Sequence, residues 1–407
     1  MRRSFSLTTV LIVSSAFGYV FFYFIAPRVA VPFFDGSPAS AAYASAPVSV
    51  ADLYANYDAV TSSKKTRVLI VPGHEPGSGG AEFHGAKEHD MVVEIAQYLQ
   101  RYMDTQGNYT TIMTRDAFAW NPIFARYFTE NKDAIEVWDA AARQSAASLG
   151  LDTLPLVDHL SAPTNVALRL YGITKWADEN AIDITLHLHF NDHDRPRLSA
   201  PGPYSGVAIY VPAQQYDNSA TSKAVATSIL RRLSMYNPVS NLPEESGGVI
   251  EDPQLIAVGA HNTAGSATML IEYDYIYQPQ FANAKVRSLA LQDLAYQTYL
   301  GVQDFFTRHA STTSTDSYDP STLYAWRTPV AGVDADPKDT YALQTALLMD
   351  GDFPPAGKSL HSCPHSGAFG ACTRAAIVTF QKKNAIENEN GVGAKTFALL
   401  QKIYWKE

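Results

Sequence analysis

The chain has 407 residues, of which 46% are hydrophobic and 17% charged, and its formal net charge is -9. That length suggests two folded domains plus additional segments, and the composition excludes global disorder. The acidic balance argues against nucleic acid as a partner, because a phosphate backbone favours a basic surface.

The N-terminus reads MRRSFSLTTVLIVSSAFGYVFFYFIAP, with two arginines ahead of an uncharged run from Ser4 to Pro27. Such a run can span a hydrocarbon core, which takes about 20 apolar residues, and the positive-inside rule keeps Arg2 and Arg3 cytoplasmic. Residues 1–27 are therefore read as a membrane anchor. A cleaved signal peptide is the rival reading: its apolar stretch is usually about 7–15 residues, and Ala39-Ser40-Ala41 offers a small-residue cleavage site. Both readings place the body of the protein outside the cytoplasm, in the cell envelope. Residues 28–64, rich in Ala, Ser, Pro and Val, are expected to form a tether.

From residue 65 to 310, strand and helix patterns alternate. RVLIV, YTTIMT, IDITLHLH, GVAIYVP and ATMLIEY have the character of strands. KEHDMVVEIAQYLQRYM, NVALRLYGITKWADEN, SATSKAVATSILRRLSM and AKVRSLALQDLAYQTYLGVQDFF have the helical period. The alternation predicts an α/β fold, a mostly parallel sheet flanked by helices. Ligands in such sheets collect at the carboxyl ends of the strands.

The first strand ends unusually. VLIVPGHEPG places Pro72, Gly73 and His74 directly after four apolar residues. Gly73 permits the tight turn that aims His74. After the Gly-rich stretch EPGSGGAEFHGAKE, Glu88 opens a helix and shares a face with Val92, Ile95 and Leu99. A carboxylate heading an apolar stripe is costly to bury unless compensated, and a metal ion would compensate it. In IDITLHLHFND, His187 and His189 point to one side of a strand, with His189 nearer the carboxyl end. His74, Glu88 and His189 make a two-histidine, one-carboxylate set, the kind that binds catalytic zinc and leaves a fourth position for water.

These motifs resemble the zinc-dependent N-acetylmuramoyl-L-alanine amidases of bacterial cell walls. That family carries a Pro-Gly-His after its first strand, a Glu opening its first long helix, a Ser-x-His-x-Asn strand and a last strand ending in Glu. The matching residues here are Pro72-Gly73-His74, Glu88, His189-Phe190-Asn191 and Glu272 of TMLIEYDY. The resemblance runs from about Arg67 to Phe306. It implies Zn2+ held by His74, Glu88 and His189, with Glu272 as general base. The implied reaction is hydrolysis of the amide between N-acetylmuramic acid and L-alanine in peptidoglycan. The sequence departs from the pattern at His89, where Lys is usual, at His187, where Ser is usual, and at Gln278, where Asn often follows the last strand. Residues 116–163 resemble an insertion, and its Phe118, Trp120, Phe124, Tyr127 and Phe128 are too many aromatics for a solvated loop. It is either a packing flap or a lid over the substrate groove.

Each residue also has a structural reading. Glu88 alone would be an ordinary helix N-terminal acid, worth about 0.3–1 kcal/mol. Glu82 and His84 are rivals for the second ligand, and His187 is expected beside the metal rather than on it. His193 and Asp194 lie in a polar loop, His159 and His261 read as structural or exposed, and Asp274 as an ion-pair partner.

Residues 311–337, rich in Ser, Thr, Asp and Pro, are expected to be a linker. Beyond it, within residues 338–407, SGAFGACTRAAIVTFQKKNAIENENGVGAKTFALLQ resembles the small three-helix peptidoglycan-binding domain attached to wall hydrolases. Leu343, Leu347, Ile377, Phe380, Val392, Phe397 and Leu400 would form its core. The two cysteines, Cys363 and Cys372, read as a disulfide in an oxidising compartment, with a metal site using His361 and His365 as the rival.

Three functions are consistent with these observations: an envelope zinc amidase that cuts peptidoglycan, a non-catalytic wall-binding protein that kept the fold, and a zinc amidase or peptidase for another envelope amide. The complete ligand set with Glu272 argues against the second.

Overall fold

The computed structural model describes residues 47–58, 65–157, 159, 162–308, 324, 326, 332, 334–387, 389 and 391–404. The expected anchor, residues 1–27, and most of the linker lie outside the described residues. No described helix is long and apolar enough to cross a membrane.

A six-stranded sheet forms the centre. Its strands are β1 (Thr66–Pro72), β4 (Tyr109–Met113), β5 (Ile184–Asn191), β6 (Ala208–Pro212), β7 (Val249–Asp252) and β8 (Ala267–Tyr275), in the order β4-β1-β5-β8-β6-β7. The pairings β4–β1, β1–β5 and β5–β8 are parallel. β6 runs antiparallel to β8 and carries β7 parallel to itself, so the sheet is mostly parallel with a reversed edge pair. The short β2 (Glu82–Phe83) and β3 (Ala86–Lys87) form a separate hairpin. The central strands are buried on both faces, which is why they appear in the sequence as near-continuous apolar runs rather than alternating ones.

On one face, Val68, Ile70, Leu186, Leu188, Met269 and Ile271 pack against α2 (Glu88–Thr105), α6 (Ser219–Leu233) and α7 (Ala284–Thr307). The α2 stripe of Val92, Ile95, Leu99 and Met103 is fully buried there. On the other face, Leu69 and Val71 meet Ile173 and Trp176 of α5 (Thr164–Glu179) and Phe124 of α3 (Pro122–Glu130). The insertion is thus two helices, α3 and α4 (Lys132–Leu149). Its aromatic face is packed, with Phe124 against Trp176 and Trp120 edge-on to Phe128.

One expectation is corrected. Within the segment read as a tether, Val50–Asp58 is helix α1 and belongs to the folded body. Ser49 and Asp52 cap it reciprocally: the Asp52 amide donates to Ser49 Oγ and the Ser49 amide to Asp52 Oδ2. Leu53 is fully buried, Tyr54 stacks on Phe305 and Tyr57 on Phe306. Composition alone hid a helix that is held by contacts remote in sequence.

The C-terminal helices α8 (Pro337–Asp350), α9 (Ala371–Lys383) and α10 (Ala394–Tyr404) enclose Leu343, Leu347, Ile377, Phe380, Val392 and Leu400. Phe397 is only partly buried, because Trp326 from the linker region takes the inner place and meets it edge-on. Cys363 and Cys372 are disulfide-bonded. His365 stacks on Tyr341 and hydrogen-bonds Thr345, which gives it a packing role. This unit is docked on the sheet domain: the Tyr341 hydroxyl donates to Asp293 Oδ2 at 3.2 Å, and Tyr236 joins its core. Ser205 Oγ and His361 Nδ1 are 2.7 Å apart across the same junction.

Candidate metal centre

At the carboxyl edge of the parallel strands, three side chains from three elements converge. His74 follows β1, Glu88 opens α2, and His189 is near the end of β5. Their nitrogen and oxygen ligand atoms all lie within 4.8 Å of one another. Among the described residues no other group of His, Cys, Asp or Glu is so placed. Glu88 Oε1 is the hub, 2.7 Å from His74 Nε2 and 3.1 Å from His189 Nδ1.

The backbone around the trio is shaped for it. His74 has a φ of 67°, in the left-handed region, so the chain reverses there instead of continuing β1. At Gly73 an added Cβ would overlap the His189 ring, and at Gly80, with φ 78°, it would come within 2.8 Å of both His74 and Glu88. Only glycine lets the two loops close on the site. The amides of Ala81 and Phe190 donate to the Glu88 carboxylate at 2.9 and 3.0 Å.

Electrostatics follow from burial and neighbours. Burial works to raise Glu88, but the His189 and His74 imidazoles beside it outweigh that and hold its carboxyl well below the ordinary range. Burial lowers His189, against the pull of Glu88, and so favours the neutral imidazole that a metal ligand needs. His74 Nε2 is buried without an aligned hydrogen bond although Glu88 Oε1 is close. Two imidazoles and a carboxylate crowded together, one ring nitrogen unpartnered, form a donor set that could hold a metal ion.

Glu272 sits on β8 directly opposite His189 in the β5–β8 register. Its Oε2 is buried with no hydrogen-bond partner, and burial, then the charges of Glu88 and Glu245, push its carboxyl well above the ordinary range. Its neighbour Glu245, itself fully buried, accepts from Asn191, Tyr210, Ser240 and Tyr275.

The other sequence candidates stand apart from the trio. His187, one pleat below His189, is 1% exposed and burial lowers it to about 3. Glu82 and His84 belong to the β2–β3 hairpin region, with His84 exposed and stacked on Phe83. His193 is exposed and edges Tyr204, and Asp194 is exposed. His159 is 3.2 Å from Asp252, and His261 hydrogen-bonds Tyr171. Asp274 accepts from the backbone of Gly206 and Tyr275 and from Gln280, and among the described residues no ion pair to it is formed.

Sequence reasoning missed Arg115 and Glu245, both buried. Arg115 comes two residues after β4, a largely half-buried edge strand where a cation is ordinarily solvated, so its local sequence carried no sign of burial. Glu245, in a short turn after Pro243, left no periodic trace.

A family model described as N-acetylmuramoyl-L-alanine amidase matches residues 68–304. No curated protein matches by sequence. Among solved structures the chain is similar to an N-acetylmuramoyl-L-alanine amidase from Clostridium difficile 630, with 16% identity, 60% of this chain and 99% of that one covered, and a TM-score of 0.38. It is similar also to AmiC2 of Nostoc punctiforme, at 17% identity, 60% and 99% coverage and a TM-score of 0.36. Ami1 of Mycobacterium smegmatis gives 13%, 60% and 97% coverage and 0.38.

Proposed function

The chain belongs to the N-acetylmuramoyl-L-alanine amidase family, and from that premise we propose that it cleaves peptidoglycan with one zinc ion held by His74, Glu88 and His189 and with Glu272 as general base. The bond cut is the amide between N-acetylmuramic acid and L-alanine. The observation that carries the zinc reading is the convergence of the three donors with Glu272 facing His189.

Zinc so held supplies a Lewis acid for the scissile carbonyl and acidifies water. The residues do the rest. Glu88 is fixed in advance by the Ala81 and Phe190 amides, so little reorganisation is needed when it takes its ligand. Glu272 has a free oxygen and a raised proton affinity, both suited to taking a proton from the attacking water and passing it to the leaving amine. The left-handed backbone at His74 turns the chain out of β1 at the carboxyl end of the strand, where Glu88 and His189 also lie.

The C-terminal three-helix unit is read as a wall-binding module, and residues 1–27 as an envelope membrane anchor; both readings come from the sequence resemblance and hydropathy. The test of the activity is digestion of purified sacculi by the full chain, stripped of metal and then reloaded with zinc. New L-alanine amino termini without new reducing sugar ends are expected, only after reloading. Cleavage within the stem peptide, or undiminished activity after stripping, would overturn the proposal.

A further inference from the structure

Arg115 lies two residues beyond β4 and directly ahead of the insertion, yet it is 1% exposed. All of its hydrogen-bond partners are backbone carbonyls. Nε donates to Pro72 O at 3.1 Å, Nη2 to Gly73 O and, at 3.1 Å, to His89 O, and Nη1 to Asp116 O at 2.9 Å. Pro72 and Gly73 directly precede His74, and His89 directly follows Glu88. One side chain therefore ties together the two segments that deliver two of the three ligands. The third, His189, lies against Gly73 so closely that a Cβ there would overlap it.

The chemistry explains the choice of residue. Where His74 turns into the left-handed region, the preceding carbonyls leave the strand ladder and need donors. A non-glycine residue in that region is strained and persists only when its surroundings hold it. Guanidinium offers five donors in a rigid planar fork, which can serve four carbonyls from separated segments at once; an ammonium on a flexible stem cannot.

We infer that Arg115 is a positioning residue for the metal centre, a buried clamp that sets the distance between His74 and Glu88 before any ion arrives. The inference rests on the zinc reading of that trio. Removing partners that orient metal ligands typically costs about 10–100-fold in affinity.

The test uses the full chain and Arg115→Lys, with zinc affinity read by competition against a chromogenic chelator. Arg232→Lys is the control, because Arg232 is equally buried but pairs with Asp304 between α6 and α7. Arg115→Lys should bind zinc about 10–100-fold more weakly, with turnover recovering in part at high zinc. Arg232→Lys should lose thermal stability and keep its zinc affinity. Equal affinity in wild type and Arg115→Lys overturns the inference, as does equal weakening in both variants. If Arg115→Lys unfolds without metal, the zinc midpoint of its refolding gives the same comparison, and failure to refold at saturating zinc also overturns it. Should the wild type itself bind no zinc, it is the metal reading that fails.

Discussion

His189 and Glu272 are register partners across the parallel β5–β8 ladder, so a candidate ligand and a candidate base are fixed by the same strand pairing. Both project to one side of the sheet, and a slip of one residue would send them to opposite faces. The sheet register is thereby also the register of the proposed chemistry.

His189→Ala should abolish zinc retention. Metal analysis after gel filtration is expected to find about one zinc per wild-type chain and none in the variant. Stoichiometric zinc in the variant would remove His189 from the ligand set.

Glu272→Gln should keep fold and zinc but lose turnover by about 10²–10⁴-fold or more, the usual contribution of general base catalysis. Its metal-free form should also be the more stable one as pH rises. Folding raises the proton affinity of Glu272, so the native state binds more protons than the unfolded chain above the ordinary carboxyl range, and wild type loses stability there. Unaltered kcat in the variant would take Glu272 out of the mechanism.

Asp274 offers a second pH-linked test, away from the chemistry. Burial raises it from 3.8 to about 7 against the backbone amides of Gly206 and Tyr275. Because the folded pKa is raised, wild type should lose stability between about pH 4 and pH 7 relative to Asp274→Asn, and the difference should level off above that. The orphaned Gln280 Oε1 is available to accept from the new amide. Chemical denaturation across that window checks it; a pH-independent difference would contradict the raised pKa.

Within the insertion, two phenylalanines should behave oppositely. Phe124 is fully buried, and its truncation to Ala should cost about 3–5 kcal/mol. Phe118 is 92% exposed on the turn that follows Arg115, so Phe118→Ala should change stability by less than about 0.5 kcal/mol. If the turn serves as a lid, KM for wall fragments rises in Phe118→Ala at constant Tm. Unchanged kinetics in Phe118→Ala leaves the insertion a packing element.

A chain ending at residue 308 should retain zinc and cut soluble muropeptide, yet sediment poorly with sacculi. It should also melt lower than the full chain, since removing α8 uncovers Tyr236 and leaves buried Asp293 without the Tyr341 hydroxyl. Equal sedimentation of the two chains would count against a wall-binding role for the C-terminal unit.

The features readable from sequence were those with a local signature. The strand-to-Pro72-Gly73-His74 break, the charged head of the Val92–Ile95–Leu99 stripe and the two-residue spacing of His187 and His189 are all short-range patterns. They marked the strands and helices, and they marked residues that the fold then brings together. Arg115 and Glu245 escaped because what defines them is a set of carbonyls or hydroxyls from distant segments. The strand Val249–Asp252, only four residues long, has too few positions to establish a period. Helix α1 was masked by its small-residue surroundings, and its partners Phe305 and Phe306 lie far along the chain.

Helix α1 also settles a question of direction. Asn56 bonds Asp183 just before β5, Val48 pairs with Gly265 just before β8, and Tyr57 lies over Tyr109 at the start of β4. Every one of these contacts is at the end of the sheet where the parallel strands begin, whereas His74 and His189 are where they finish. With eight residues in β5, the two ends are roughly 25 Å apart at about 3.3 Å per residue. Val48 and helix α1 are therefore seated at the end of the sheet opposite the candidate metal centre. A force or contact applied to helix α1 would act on the sheet at the end farthest from His74 and His189.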